Sequence, residues 1–127
     1  MLASGSECNI ELWNTDTGSL VKTLKFVPDF DCTVFSAAFN RFGLLAAGYS
    51  DLTVKLWKTD TGELLKTLTG HTSWINSVAF YQNGFLASGS WDKSIRLWNT
   101  NTGALLMTLT GHVKSVVHFG MLDRPSC

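Results

Sequence analysis

The chain has 127 residues, room for one small domain and too few for two ordinary ones. Ten basic residues balance ten acidic ones, so no net field draws a polyanion or an anionic membrane, which argues against a nucleic-acid clamp. With 45% hydrophobic and 16% charged residues, the chain has apolar material for a core and too little charge for intrinsic disorder.

The segment Leu2-Ala3-Ser4-Gly5-Ser6 reads as a strand, followed by the short turn Glu7-Cys8-Asn9 and the pair Leu12-Trp13. Leu-Trp returns as Leu56-Trp57 and Leu97-Trp98, with tryptophan spacings of 44 and then 41 residues. Nearly the same pentapeptide follows each time: Asn14 to Gly18, Lys58 to Gly62 and Asn99 to Gly103. Apolar residues alternate through Thr53-Val54-Lys55-Leu56-Trp57 and Ser94-Ile95-Arg96-Leu97-Trp98, the two-residue period of a strand. Ile75 to Phe80 is rich in β-branched and aromatic residues and leads to Asn83-Gly84, a strong hairpin signal, with Phe85 to Ser90 as the returning strand. The link Trp91-Asp92-Lys93 turns the chain again, Gly103 supplies a positive φ for the next reversal, and Ala104 to Leu109 is expected as a fourth strand. Gly111-His112 opens another unit, with Val116, Phe119 and Met121 where Ile75, Val78 and Phe80 fall in the unit before.

Four antiparallel strands every 41 to 44 residues make a meander sheet that cannot bury both of its faces alone, so stacking is required. The Gly-His pairs, the Leu-Ala-Ser-Gly-Ser strand, the aspartate of the following turn and the closing Leu/Ile-x-Leu-Trp resemble WD40 repeats from Leu2 to about Met121. The aspartate that usually follows the closing tryptophan is replaced by Asn14, Lys58 and Asn99, a departure common in that family. The resemblance implies an all-β fold, a β-propeller with blades of four antiparallel strands. About three blades are expected here, in repeats spanning roughly residues 1–25 (partial), 26–69, 70–110 and 111–121 (a beginning). Propellers close with about four to eight blades, so an incomplete or open propeller is expected. Two uncovered blade faces point to a piece of a longer propeller or, alternatively, to self-association.

The resemblance also implies a buried hydrogen-bond network of His71, Ser88, Asp92 and Trp98, in which imidazole bridges carboxylate and hydroxyl. The middle unit keeps Asp51 and Trp57 but has Ala47 at the serine position and Phe30 near the histidine position, so this network is expected to be missing there. The three extra residues of its longer spacing fall between Leu24 and Phe39, in a lengthened loop around Phe26 to Asp31.

Ser88, His71 and Asp92 are also the residue types of a hydrolase triad. The serine lies on a strand four residues from the aspartate, no G-x-S-x-G elbow surrounds it, and Trp98 already accounts for its partner, so no catalytic residue is assigned. His112 opens an incomplete unit, and His118 falls where Ser77 sits one copy earlier, as a surface or packed residue. Cys8, Cys32 and Cys127 form neither a disulfide framework nor a zinc site by spacing, and no nucleotide, calcium or zinc-protease motif is present, so no metal or cofactor is expected. The cysteines fit a reducing compartment, and the absence of a secretory pattern or long apolar run fits an intracellular protein, cytoplasmic or nuclear, with no membrane partner. Lys22, Lys55, Lys66, Lys93, Arg96 and Lys114 are scattered at strand alternation positions and read as solvated faces, with no nucleic-acid stripe.

Trp74 and Trp91 are not required by the repeat, whose middle copy has Thr33 and Ser50 in their places. The resemblance implies that partner peptides are read beside these positions, by Trp74, Asn76 and Trp91 together with Phe35 and Ser50; packing between blades is the competing role. The function expected is a non-enzymatic protein-protein interaction scaffold or adaptor with a protein or peptide partner. The alternative is a non-catalytic piece of a larger protein whose enzymatic or regulatory domain lies outside this chain.

Overall fold

The computed structural model of the chain describes residues 2–6, 9–25, 33–82 and 84–110. The period-two segments become eleven strands among these residues. They are β1 (Leu2–Ser6), β2 (Asn9–Trp13), β3 (Leu20–Lys25), β4 (Val34–Phe39), β5 (Leu44–Tyr49), β6 (Val54–Lys58), β7 (Glu63–Leu68), β8 (Ile75–Tyr81), β9 (Phe85–Ser90), β10 (Ser94–Asn99) and β11 (Leu105–Thr110). They pair as three antiparallel meanders, β1 to β3, β4 to β7 and β8 to β11, in chain order. None closes on itself, and the architecture is an incomplete all-β propeller.

Glycine makes the repeated reversal after each closing strand: Gly18, Gly62 and Gly103 have φ of 73°, 78° and 78°. Each closing tryptophan also sits at the same irregularity, since the pairing of the last two strands of each sheet shifts beside Trp13, Trp57 and Trp98. The fourth strand of the third sheet begins one residue later than the sequence pattern places it, at Leu105 rather than Ala104. The hairpin after β8 puts positive φ on Gln82 and Gly84; Asn83 lies outside the described residues. The lengthened loop around Phe26 to Asp31, Phe30, His112, His118, Lys114, the three cysteines and the unit begun at residue 111 lie outside them as well.

Alternation gives each sheet two apolar faces, and stacking covers them in turn. Ile10, Leu12 and Leu24 of the first sheet pack on Leu45, Ala47, Tyr49 and Trp57 of the second. The opposite face of the second sheet, with Ala46, Val54, Leu56 and Leu68, packs on Ile75, Val78, Leu86 and Trp98 of the third. Gly48 sets the closeness of this second seam, because a Cβ there would stand 2.5 Å from Ile75 Cγ2. A recurring joint ties each sheet to the next: the Lys22 stem lies over Gly62, and the Lys66 stem lies over Gly103. The far face of the third sheet carries Ala87, Ile95 and Leu97, and no further sheet covers it among the described residues. Leu109 is accordingly 38% exposed, whereas Leu68, its counterpart one repeat earlier, is 4% exposed.

Candidate functional site

The third sheet brings His71, Ser88, Asp92 and Trp98 together. Trp98 Nε1 donates to Ser88 Oγ at 2.9 Å, Ser88 Oγ lies 2.7 Å from His71 Nε2, and His71 Nδ1 lies 2.9 Å from Asp92 Oδ2. Burial lowers the His71 pKa, against the bond to Asp92 that raises it, so the imidazole is neutral at pH 7. The proton pattern follows. Ser88 donates to Nε2, and Nδ1–H donates to Asp92. Asp92 further accepts from the Thr72 N–H at 3.0 Å, the Ser94 N–H at 2.9 Å and the Ser94 hydroxyl. Burial pushes its carboxyl up, but the bonds from Ser94, Thr72 and His71 outweigh this and hold it at about 2. The loop before β8, the turn before β10 and the closing strand are thereby pinned to one serine on β9.

The second sheet solves the same problem with other groups. Ala47 occupies the serine position, and Trp57 Nε1 instead donates to Tyr49 Oη at 3.2 Å. Tyr49 lies two residues beyond Ala47 on the same face of β5, so its ring reaches the space a serine network fills in the third sheet. Burial pushes the Tyr49 phenol up to about 12, so it stays protonated. Asp51 pairs with Lys55 Nζ at 3.3 Å and accepts from the Thr53 hydroxyl at 2.6 Å. This corrects the expectation that Lys55 stands on a solvated face. Lys55 is 2% exposed, with Nζ 5.2 Å from the Tyr49 ring, because it shares the inward face of β6 with Trp57. Arg96, its counterpart on β10, is likewise half-buried beside Gly70.

At the end of the sheets where β4 and β8 begin, three exposed rings form a row. Phe35 and Trp74 have centroids 5.4 Å apart at 36°, and Trp74 and Trp91 are 5.6 Å apart at 57°. The row crosses the seam between the second and third sheets, since Phe35 belongs to β4 and the two tryptophans flank β8 and β9. Trp74 is 46% exposed and Trp91 58%. The Trp91 backbone N–H donates to the Trp74 carbonyl at 2.9 Å, which holds the two loops together. The bulges at the starts of β4 and β8 place Phe35 and Asn76 at equivalent extra positions, opposite no partner residue.

The remaining positions expected to meet a partner are placed differently. Ser50 turns its Oγ to the Thr33 N–H at 2.8 Å, a local tie between the two loops of the second sheet. Asn76 keeps Nδ2 and Oδ1 away from water and without a hydrogen-bond partner, so it is not an exposed reader in this structure. No group of three potential metal ligands is found among the described residues, and no helix there is long and apolar enough to cross a membrane.

A family model described as WD domain, G-beta repeat matches residues 62–99, from the turn glycine of the second sheet to the end of β10. That span contains all four residues of the serine-centred network. Among solved structures, the chain is similar to U3-55K, a WD40 β-propeller protein, with a TM-score of 0.77 and 25% identity. The match covers 89% of this chain and 37% of that one, so the chain spans little more than a third of the solved protein's length. No curated protein matches the sequence.

Proposed function

We propose that this chain, which belongs to the WD40-repeat family, is a non-enzymatic protein-interaction module whose contact surface is the row Phe35, Trp74 and Trp91. The observation that carries this is the exposure of two mutually touching tryptophans at a sheet seam. Large rings left in water lose the free energy that burial returns, and tryptophan anchors dominate interface energetics when a partner covers them. The stacked sheets supply a rigid support, as a scaffold or adaptor requires.

The triad-like trio fits a structural role better than catalysis. Ser88 has no exposed surface, and its oxygen already accepts the Trp98 N–H, so no substrate can approach its hydroxyl. The proposal places the module inside the cell, in cytoplasm or nucleus, where its odd number of cysteines remains reduced.

Panning a random peptide library on the purified chain tests the reading. Captured peptides should lose at least tenfold in affinity for Trp91→Ala and keep it for Phe42→Ala, an exposed ring at the opposite end of β4. Circular dichroism should show both variants folded. Binders indifferent to both Trp74→Ala and Trp91→Ala would overturn the assignment of the surface.

A further inference from the structure

The geometry of the aromatic row selects among ligands. Its neighbouring rings touch, at 5.4 and 5.6 Å between centroids, so a quaternary ammonium cannot be enclosed between them as in a cage of separated rings. The carboxylates of the adjoining turns are already engaged. Asp51 is held by Lys55 and Thr53, and Asp92 by Thr72, Ser94 and His71. Neither of these turn carboxylates is left uncommitted to reward a cationic side chain. A phosphorylated ligand calls for a fork of arginines, and Arg96 is drawn inward to Gly70, leaving Lys93, at an exposed turn with φ of 70°, as the cation nearest to Trp91 in sequence.

The row does offer flat apolar faces together with donors. Neither the Trp74 nor the Trp91 indole N–H has a hydrogen-bond partner among the described residues. Faces without charge, set beside N–H donors, complement a backbone rich in carbonyls and poor in N–H groups.

Resting on the reading of the row as an interaction surface, we propose that its ligand is an uncharged, proline-rich segment in extended polyproline II form. Such a segment makes no internal hydrogen bonds, turns its carbonyls outward to donors, lays pyrrolidine rings on aromatic faces and loses little conformational entropy on binding. Trp74 and Trp91 supply the stacking faces and indole N–H groups, and Phe35 extends the platform across the seam.

Isothermal titration calorimetry on the whole chain, with four synthetic dodecapeptides, decides the matter. The first is an uncharged proline-rich sequence, and the second has every proline replaced by alanine. The third carries trimethyl-lysine and the fourth phosphoserine. The proline-rich peptide should bind saturably and at least tenfold more tightly than its alanine version. Trp74→Ala and Trp91→Ala should each weaken it at least tenfold, and Phe42→Ala not at all. Trp91→Phe, which keeps an aromatic face without the N–H, should lose less than Trp91→Ala and guards against a folding defect. Equal binding of the proline and alanine peptides, or none of either, overturns the proposal. Tighter, Trp91-dependent binding of the trimethyl-lysine or phosphoserine peptide also overturns the proline chemistry while leaving the interaction surface standing. Silence from all four, with library binders indifferent to Trp91, removes both.

Discussion

The second and third sheets close the same turn by different chemistry. In the third, a neutral histidine links Asp92 to Ser88, and the serine receives the indole of Trp98. In the second, Tyr49 receives the indole of Trp57 directly, and Asp51 is left to an ammonium, Lys55, drawn in from the neighbouring strand. The fold therefore demands that the closing tryptophan and the turn aspartate find partners, and leaves open which groups serve. One sheet holds its carboxylate with a neutral imidazole and hydroxyls, the other with a buried ammonium beside a phenol, and the two should fail in different ways.

The largest difference is expected at the aspartates. Asp51→Ala strips the carboxylate from a lysine that is 2% exposed and should cost about 3 kcal/mol, as breaking a buried ion pair does. Asp92→Ala leaves a neutral imidazole and should cost about 2 kcal/mol. Urea midpoints of the two variants measure the order. The reverse order would mean that Lys55 recovers water on losing its partner, and adding Lys55→Met to Asp51→Ala should restore most of the loss.

A smaller contrast is expected at the tryptophans. Trp98→Phe leaves the buried Ser88 oxygen short of a donor, for about 2 kcal/mol, while Trp57→Phe removes a longer bond to Tyr49, for about 1 kcal/mol. Equal losses in the same urea experiment would show that ring volume, rather than the indole N–H, sets the cost at both positions.

The smallest effect is in acid. Burial holds the folded pKa of His71 below 6.5, so the unfolded chain takes up a proton near pH 6.5 that the folded chain refuses. Stability should therefore fall as pH drops through 6.5 toward the folded value. Asp92, at 3.8 unfolded and about 2 folded, contributes above pH 3.8 and loses its contribution between 3.8 and 2. His71→Asn should flatten the first limb of a melting-temperature profile, while the second persists in reduced form because Ser94 and Thr72 still hold the Asp92 carboxylate. An unchanged first limb would assign the acid response to another group.

The serine-centred network was legible in the sequence because its four members fall at fixed offsets within one repeat. The tyrosine alternative was not, because alignment set Ala47 beneath Ser88 and ended there. The signal was nonetheless present: Tyr49 shares a face with Ala47, and an alanine beside a strand tyrosine makes room for its ring. Lys55 was misread for a related reason. Spacing along β6 puts it on the face of Trp57, which a closing tryptophan marks as inward, while its charge argued for water. Trp74 and Trp91 stood out as residues the repeat did not ask for, but the contact of Trp74 with Phe35 depends on how closely two sheets approach at Gly48, which no single strand pattern reports.

The joint between sheets bears on how such a chain grows. The second repeat carries both a lysine stem that rests on the glycine of the following repeat, Lys66 on Gly103, and a glycine that receives the stem of the preceding one, Gly62 under Lys22, whereas the third repeat has Met107 at the lysine position. A tandem duplication of the gene segment for the second repeat thus arrives with both halves of its fastening, peg and socket, already in frame. Lengthening the array requires no invention of a new contact, and divergence is free to act on what each copy displays at its rim.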